Sequence, residues 1–303
     1  MTDCAVVIVT YHPNSIFANS LEELATSCSQ VIVVDNTPVA FPLHVPQGVR
    51  LVSFGRNQGL ATALNRGVEL AGQMGFDNIF LLDQDSRPPE DFFEKMLAFK
   101  KKVDSVTTDI ALYVPDFYDR NSNSHARYPV LTPLTVRHVT CKDLTSGPRS
   151  HATIAITSGS LLPYSKYNRI GPFRDDYFID FIDNEYCLRI YTLGFRIAVN
   201  CALVLDHAIG SRATHKFLGI TVKPNHHRPV RRYYIARNGV RTCLEYIRAY
   251  PSFLPLLTAR FIHEGLSILL YEREKTKKLR AMLTGIHHGL TGKMGPCPIP
   301  DLL

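Results

Sequence analysis

Four short apolar runs, three of them followed by a segment with helical spacing, constrain this chain more than any other feature. They are residues 4–10 (CAVVIVT), 30–35 (QVIVVD), 50–54 (RLVSF) and 77–83 (DNIFLLD). The runs are largely apolar without strict alternation, which reads as strands buried on both faces. Between them, residues 14–27 place Ile16, Leu21, Leu24 and Ala25 at helical spacing. Residues 58–74 put Leu60, Ala61, Leu64, Val68 and Ala71 on one stripe. Pro88-Pro89 opens a further helix from about 90 to 102, since proline is accepted in a first turn. Strand–helix alternation of this kind predicts an α/β fold, a mainly parallel sheet with helices on both faces.

In such sheets ligands bind beyond the carboxyl ends of the strands. Thr10 and Tyr11 follow the first run, Asp35 and Asn36 end the second, and Asn57 follows the third. Asp83, Gln84 and Asp85 end the fourth. Two carboxylates at i and i+2 past a strand are able to share one hard cation whose other ligands are phosphates, although a polar turn has the same residues. A second constellation is Asp180-x-x-Asp183-x-Glu185, entering a helix over 182–193. Asp183 there reads either as an N-terminal cap or as a general base. A third is Asp206-His207 after an apolar strand, with His207 either structural or a metal ligand. The segment Asn57 to Gly67, which includes Gly59, has the small residues of a close backbone approach. It matches neither common phosphate-loop pattern.

Elsewhere the pattern gives short strands near 109–114 and 130–140 and a loop at 121–124. Strands follow at 152–157, before Ser158-Gly159-Ser160, and at 196–205. A His- and Lys-rich loop spans 211–229, and helices run from 230 to about 290, interrupted at Pro251 and Pro255. The division expected is a nucleotide-binding and catalytic domain over 1–229 and a helical region over 230–303. Of 303 residues, 45% are hydrophobic and 20% charged, which excludes a disordered or fibrous main state. Seven scattered cysteines without a C-x-x-C pair argue against a disulfide framework or structural zinc, and for a reducing compartment. The start, Met-Thr-Asp, runs into Val6 without the features of a signal peptide, and no unbroken apolar run of about 18 residues predicts a spanning helix.

The net charge of +7 is unevenly spread: residues 210–303 hold 16 of the 34 Lys and Arg but only 5 of the 27 Asp and Glu. That is either a solvated helical face or a surface for phosphates, acidic lipid or nucleic acid.

Taken in order, six motifs resemble family 2 glycosyltransferases of the GT-A fold. They are V-x-V-T-Y-H-P at 7–13, V-V-D-N at 33–36 and N-x-G-x-A-x-A-x-N-x-G at 57–67. Then come L-L-D-Q-D-S at 81–86, F-I-D-x-x-D-N-E-Y-C-L-R at 178–189 with G-F-R-I at 194–197, and D-H-x-x-G at 206–210. The wording of the fourth and fifth, with R-R-Y-Y-I-A-R-N at 231–238, is similar to the bacterial rhamnosyltransferase branch. The resemblance implies that Asp35 contacts the nucleotide base, with Thr10, Tyr11, Asn57 and Gly59 lining that pocket. It implies that Asp83 and Asp85 hold ribose and Mg²⁺ or Mn²⁺, with His207 completing the metal site. Asp183 is then the catalytic base. Because Ile182 stands where the family has Glu, Asp180 is the second candidate.

The expected reaction is inverting transfer of L-rhamnose from dTDP-L-rhamnose to a hydroxyl of a growing, lipid-linked surface polysaccharide. A UDP-hexose donor is the alternative. Arg231, Arg232 and Arg237 are the expected contacts to acceptor phosphates. The basic helices either pack within the protein, form a homodimer, or rest on the inner face of the cytoplasmic membrane, with the enzyme otherwise cytoplasmic. A basic nucleic-acid-binding protein is the reading from another class. The acids at the strand ends and the lack of an RNA-binding signature argue against it, so no nucleic-acid partner is expected.

Overall fold

A computed structural model describes residues 2–38, 45–119, 124–144, 152–207, 215–217, 220–222 and 224–302. In chain order the elements are β1 (Thr2–Thr10), α1 (Ser15–Ser27), β2 (Cys28–Asp35), β3 (Val49–Ser53), α2 (Leu60–Gln73), β4 (Asn78–Asp83) and α3 (Phe92–Asp104). They continue with β5 (Ile110–Asp119), β6 (Ser124–His125), β7 (Tyr128–Leu131), β8 (Val136–Val139), α4 (Cys141–Leu144), β9 (Ser160–Pro163) and α5 (Tyr164–Ile170). Last come α6 (Ile182–Thr192), β10 (Arg196–His207), β11 (His215–Phe217), β12 (Ile220–Val222), α7 (Pro229–Tyr246), α8 (Phe253–Tyr271) and α9 (Lys275–Thr291).

The main sheet runs β10-β5-β9-β4-β1-β2-β3, with β6 added beside β5. β1, β2, β3 and β4 pair in parallel, as do β5 and β10. β9 alone along this path is antiparallel to both its neighbours. Successive side chains point to opposite faces of a strand, so each strand feeds two cores. Val7, Ile32 and Leu81 meet Leu64 and Val68 of α2 on one face. Val6, Ile8, Val33 and Phe80 meet Leu21 of α1 and Phe93 and Met96 of α3 on the other. This two-sided burial is why the strands read as apolar runs.

Several sequence expectations are corrected. Residues 152–157 are not a strand, because β9 begins only at Ser160. The expected loop at 211–229 contains the antiparallel pair β11 and β12. Pro88 and Pro89 precede the N-cap Asp91 rather than lying in the first turn of α3. Pro251 falls between α7 and α8, but Pro255 lies in the first turn of α8, which it does not interrupt. Cys141 and Cys201 form a disulfide. They lie 60 residues apart and become neighbours only because α4 packs on β10, which no local spacing reveals. The other five cysteines are free and buried.

The C-terminal helices are joined by buried charge. Arg232 of α7 lies 3.2 Å from Glu264 of α8 and 2.5 Å from Glu272, which Lys278 of α9 meets at 2.8 Å. Burial alone would raise the Glu272 pKa, but the hydrogen bond from Lys278 and the Arg232 charge hold it below the usual value. α8 is 19 residues long with a mean hydropathy of 1.4 over its most apolar window, long and apolar enough to cross a membrane by length and composition. Its sequence is not an unbroken apolar run, because Arg260 and Glu264 interrupt it.

Candidate active site

The carboxyl ends of all the parallel strands face the same way, so Thr10, Asp35, Ser53 and Asp83 share one edge of the sheet. β9 runs against them, which brings its entry, Thr157 and Ser158, to that edge as well.

At one end of the edge, Asp35 is buried and one of its oxygens accepts from the hydroxyls of Thr10 (2.9 Å) and Thr37 (2.7 Å). Thr10 is fully buried, so its side chain orients Asp35 rather than lining an open pocket. Asn36 donates to the carbonyl of Gly59 and accepts from the amide of Gln58 (2.9 and 3.1 Å). Asn57 accepts from the amide of Gly59 at 3.0 Å. Tyr11 is 47% exposed, a ring free to meet a planar base. Its amide donates to the side chain of Gln84 at 2.8 Å, which ties the end of β1 to the end of β4.

The glycine-containing motif that opens α2 is mostly architecture. Gly59 has φ +91°, and a Cβ there would stand 2.8 Å from the carbonyl oxygen of Phe178. A Cβ on Gly67 would stand 2.2 Å from Val7 of the sheet. Asn65 binds Phe173 in both directions and donates to Asp175.

The acids meet in the middle. A cleft of about 280 Å³ is lined by Asp83, Thr157, Ser158, Asp180, Asp183, Arg231 and Arg260, with Leu60 and Phe181 on its walls. Asp83 is open to solvent at this cleft yet crowded by protein. Desolvation and the charge of Asp85 push its pKa up to about 6, against the opposing contact with Ser158. The Asp83 amide donates to the Ser158 hydroxyl at 3.2 Å, and Ser158 pairs with Ser86 at 2.6 Å. Asp183 is half-buried in the first turn of α6, where Phe181 and not Asp183 holds the N-cap position. The Asp183 carboxylate accepts from Thr157 at 2.8 Å. Burial above all, with the charges of Asp83 and Asp180, pushes its pKa up to about 6.

Phe178, Asp180 and Phe181 all have left-handed backbones (φ +65°, +63° and +62°). Each such residue costs about 1–3 kcal/mol and persists only where surroundings over-determine it. Here α7 does so. Asn238 shares its side-chain N–H groups among the carbonyls of Tyr177, Ile179 and Asp180 at 2.8–2.9 Å. Arg237 donates to those of Asp176 and Tyr177 at 3.0 Å. Arg231 takes the Asp180 carboxylate in a two-pronged contact.

Two of the expected phosphate contacts are therefore corrected. Arg232 and Arg237 are 1% and 0% exposed, and their guanidinium groups are turned inward to carboxylates and backbone carbonyls. Arg231 does reach the cleft. Arg260, Thr157 and Ser158 also line it, and sequence reading missed their roles; only the Ser158-Gly159-Ser160 turn hinted at the last. β10 ends at His207, but the side chains of Asp206 and His207, and Gly210, lie outside the described residues. Among the described residues, no group of three or more His, Cys, Asp or Glu side chains gathers to hold a metal.

Residues 5–170 match the model of glycosyl transferase family 2. The chain is 30% identical over 310 residues to the dTDP-rhamnosyl transferase RfbF of Shigella flexneri, covering 94% of this chain and 96% of that one. It belongs to glycosyl transferase family 2. Solved structures similar to this family member include S. aureus TarS (residues 1–349) in complex with UDP-GlcNAc. That likeness has a TM-score of 0.55 and 14% identity over 95% of this chain and 81% of that one. GalNAc-T7 with UDP, GalNAc and Mn²⁺ gives a TM-score of 0.56 and 12% identity over 80% of this chain, which spans about half (48%) of that longer one. These likenesses carry the GT-A fold. The family match ends at residue 170, so Asp180, Asp183 and Arg231 all lie beyond it.

Proposed function

We propose that this glycosyltransferase moves L-rhamnose from dTDP-L-rhamnose to a hydroxyl of a growing, lipid-linked surface polysaccharide, with inversion at the anomeric carbon. The convergence of Asp83, Asp180 and Asp183 on one cleft at the ligand edge of the sheet carries the reaction type. The near full-length similarity to a dTDP-rhamnosyl transferase supports the donor.

Asp183 is the base. Its carboxyl is raised to about 6, so at neutral pH it is ionised yet basic enough to take the acceptor's hydroxyl proton as that oxygen attacks. The Thr157 hydroxyl orients it. Inversion needs no covalent sugar–enzyme intermediate, so one base suffices. Asp35, Asn57, Gly59 and the exposed ring of Tyr11 form the nucleoside end, with Thr10 as the buried support of Asp35.

Asp83 and Asp85 would hold Mg²⁺ or Mn²⁺. The pair fits: both are hard oxygen donors, and their mutual repulsion and the desolvation of Asp83 mark a place short of positive charge. Such a cation offsets the charge of the leaving nucleoside diphosphate. Solvent and the diphosphate would supply its other ligands, with His207 as a further candidate.

We place residues 1–229 as the catalytic domain and 230–303 as a helical region that completes the cleft through Arg231 and Arg260. We place the enzyme in the cytoplasm, with the exposed Leu254, Ile262 and Leu269 of α8 and the exposed Lys275, Lys277 and Arg280 of α9 toward the inner leaflet. A homodimer through the same face is the competing arrangement. Binding of dTDP-, UDP- and GDP-sugars by calorimetry, with and without Mn²⁺, followed by transfer assays, tests the reading. Preference for a UDP-hexose would replace the donor, and no sugar-nucleotide binding would overturn it.

A further inference from the structure

We infer that Asn238, oriented by Arg237, is a positioning residue that imposes the positive-φ backbone of Phe178, Asp180 and Phe181 and so sets where Asp180 and Asp183 stand against Asp83. The inference rests on the base assignment proposed above.

Three observations converge on it. The first is the demand: three non-glycine residues within four positions hold φ near +60°, immediately before the helix that carries Asp183. The second is the supply. One buried side-chain amide satisfies the carbonyls of Tyr177, Ile179 and Asp180, and Arg237 adds those of Asp176 and Tyr177. The Nε of Arg237 donates to the Asn238 side-chain oxygen at 2.9 Å, which fixes the amide with its N–H groups toward the loop. Arg237 also donates to the carbonyl of Gly295, beyond α9, so the clamp is braced from behind. The third is the connection to the donor side. The amide of Leu60, at the start of α2, donates to the carbonyl of Phe178 at 2.6 Å. The loop thus spans from the donor end of the cleft to α7, and Asn238 sits where that span is tied down.

Other contacts do not replace this. Phe178 stacks on Tyr234, and Arg260 lies over Phe181, but these hold side chains. The carbonyls of Ile179 and Asp180 turn to Asn238. Neither Asn238 nor Arg237 lines the cleft, so neither is placed to touch a reacting atom.

The test compares wild type with Asn238→Ala and Asn238→Ser, the latter keeping one donor. Turnover should fall about 10- to 100-fold in the alanine variant, the range for small misplacement of a catalytic group, and less in the serine variant. Binding of dTDP, measured by calorimetry, should stay within about 2-fold. The acid limb of the pH–turnover profile should move, because the surroundings of Asp183 change. Hydrogen exchange over 176–183 should quicken selectively. Unchanged turnover overturns the inference. So does a loss of turnover that tracks only the folded fraction, with the acid limb unmoved, or failure of both variants to fold. If wild type transfers nothing from dTDP-rhamnose, the donor reading fails by itself, and hydrogen exchange still reports on the clamp.

Discussion

Arg231 grips the carboxylate of Asp180 with two nitrogens, Nη2 to Oδ1 at 2.9 Å and Nε to Oδ2 at 3.2 Å. A carboxylate held in this fork has both oxygens engaged by one guanidinium. Asp183 is bound instead by a neutral hydroxyl, and burial above all pushes its carboxyl up to about 6. The two acids, three residues apart, are set apart by their partners, and on the proposed reading this divides their roles.

Asp183→Asn keeps the shape and removes the basic oxygen. Turnover is expected to drop about 10²- to 10⁴-fold, the range for a lost general base, with dTDP binding within about 2-fold. Asp180→Asn should cost far less. Steady-state kinetics of both variants decide the matter: a dead Asp180→Asn beside an active Asp183→Asn exchanges the assignments.

The pH dependence has a fixed sign. If Asp183 is the base as proposed, it acts only when ionised, so turnover should rise through about pH 6 and level off above it. Stability should run the other way. The folded state binds this proton more tightly than the unfolded chain, so between about pH 4 and 6 rising pH erodes stability. Without divalent ions, Asp183→Asn should therefore flatten the fall in Tm between about pH 4 and 6. A variant as pH-sensitive as wild type would count against the raised carboxyl.

Chelation gives a third prediction. EDTA should abolish transfer, and Mg²⁺ or Mn²⁺ should restore it. Asp85 is exposed, so Asp85→Ala should keep its Tm while losing activity and calorimetric Mn²⁺ binding in the presence of dTDP. Full activity of that variant in chelator would remove the metal from the reading.

The buried charges of the C-terminal helices predict stability, not catalysis. Lys278→Met leaves Glu272 with one cation instead of two, so it should destabilise by less than the roughly 3–5 kcal/mol that an unpaired buried charge costs. Denaturant midpoints would show it.

Membrane contact is tested elsewhere, with Lys275→Glu, Lys277→Glu and Arg280→Glu together, because these three are exposed and Lys278 is not. Each basic residue near an anionic surface contributes about 1 kcal/mol. The triple variant should lose binding to anionic vesicles while keeping transfer to a soluble acceptor analogue. Equal binding by both proteins would leave the helices as packing or dimer elements.

β1 to β4, α1, α2 and the strand-end acids were legible because their signals are local. Buried parallel strands read as apolar runs, and Asp35, Asp83 and Asp85 follow those runs directly. What was not legible depends on contacts far apart in sequence. Cys141 and Cys201 meet across 60 residues. Arg232 and Arg237 look like solvent-facing cations in a basic segment, and only Glu264 and Glu272 around the first and the carbonyls of Asp176, Tyr177 and Gly295 around the second turn them inward. Thr157 reaches Asp183 because β9 reverses direction, and Arg260 reaches the cleft because α8 folds back over Phe181. A helical stripe of apolar residues does not announce which of its charges points at a substrate.

The clamp from α7 also bears on how such a chain can change. The segment leading into the proposed base is tied to a helix some 60 residues downstream. A shortened protein ending after the sheet would keep the nucleoside end but lose the template for its own base. Exchanging the tail between relatives would replace acceptor-side residues and the seat of the proton acceptor in one stroke. New acceptor preferences in this scaffold should therefore arise by point changes around Arg231 and Arg260 that spare Arg237 and Asn238, rather than by grafting a foreign helical cap.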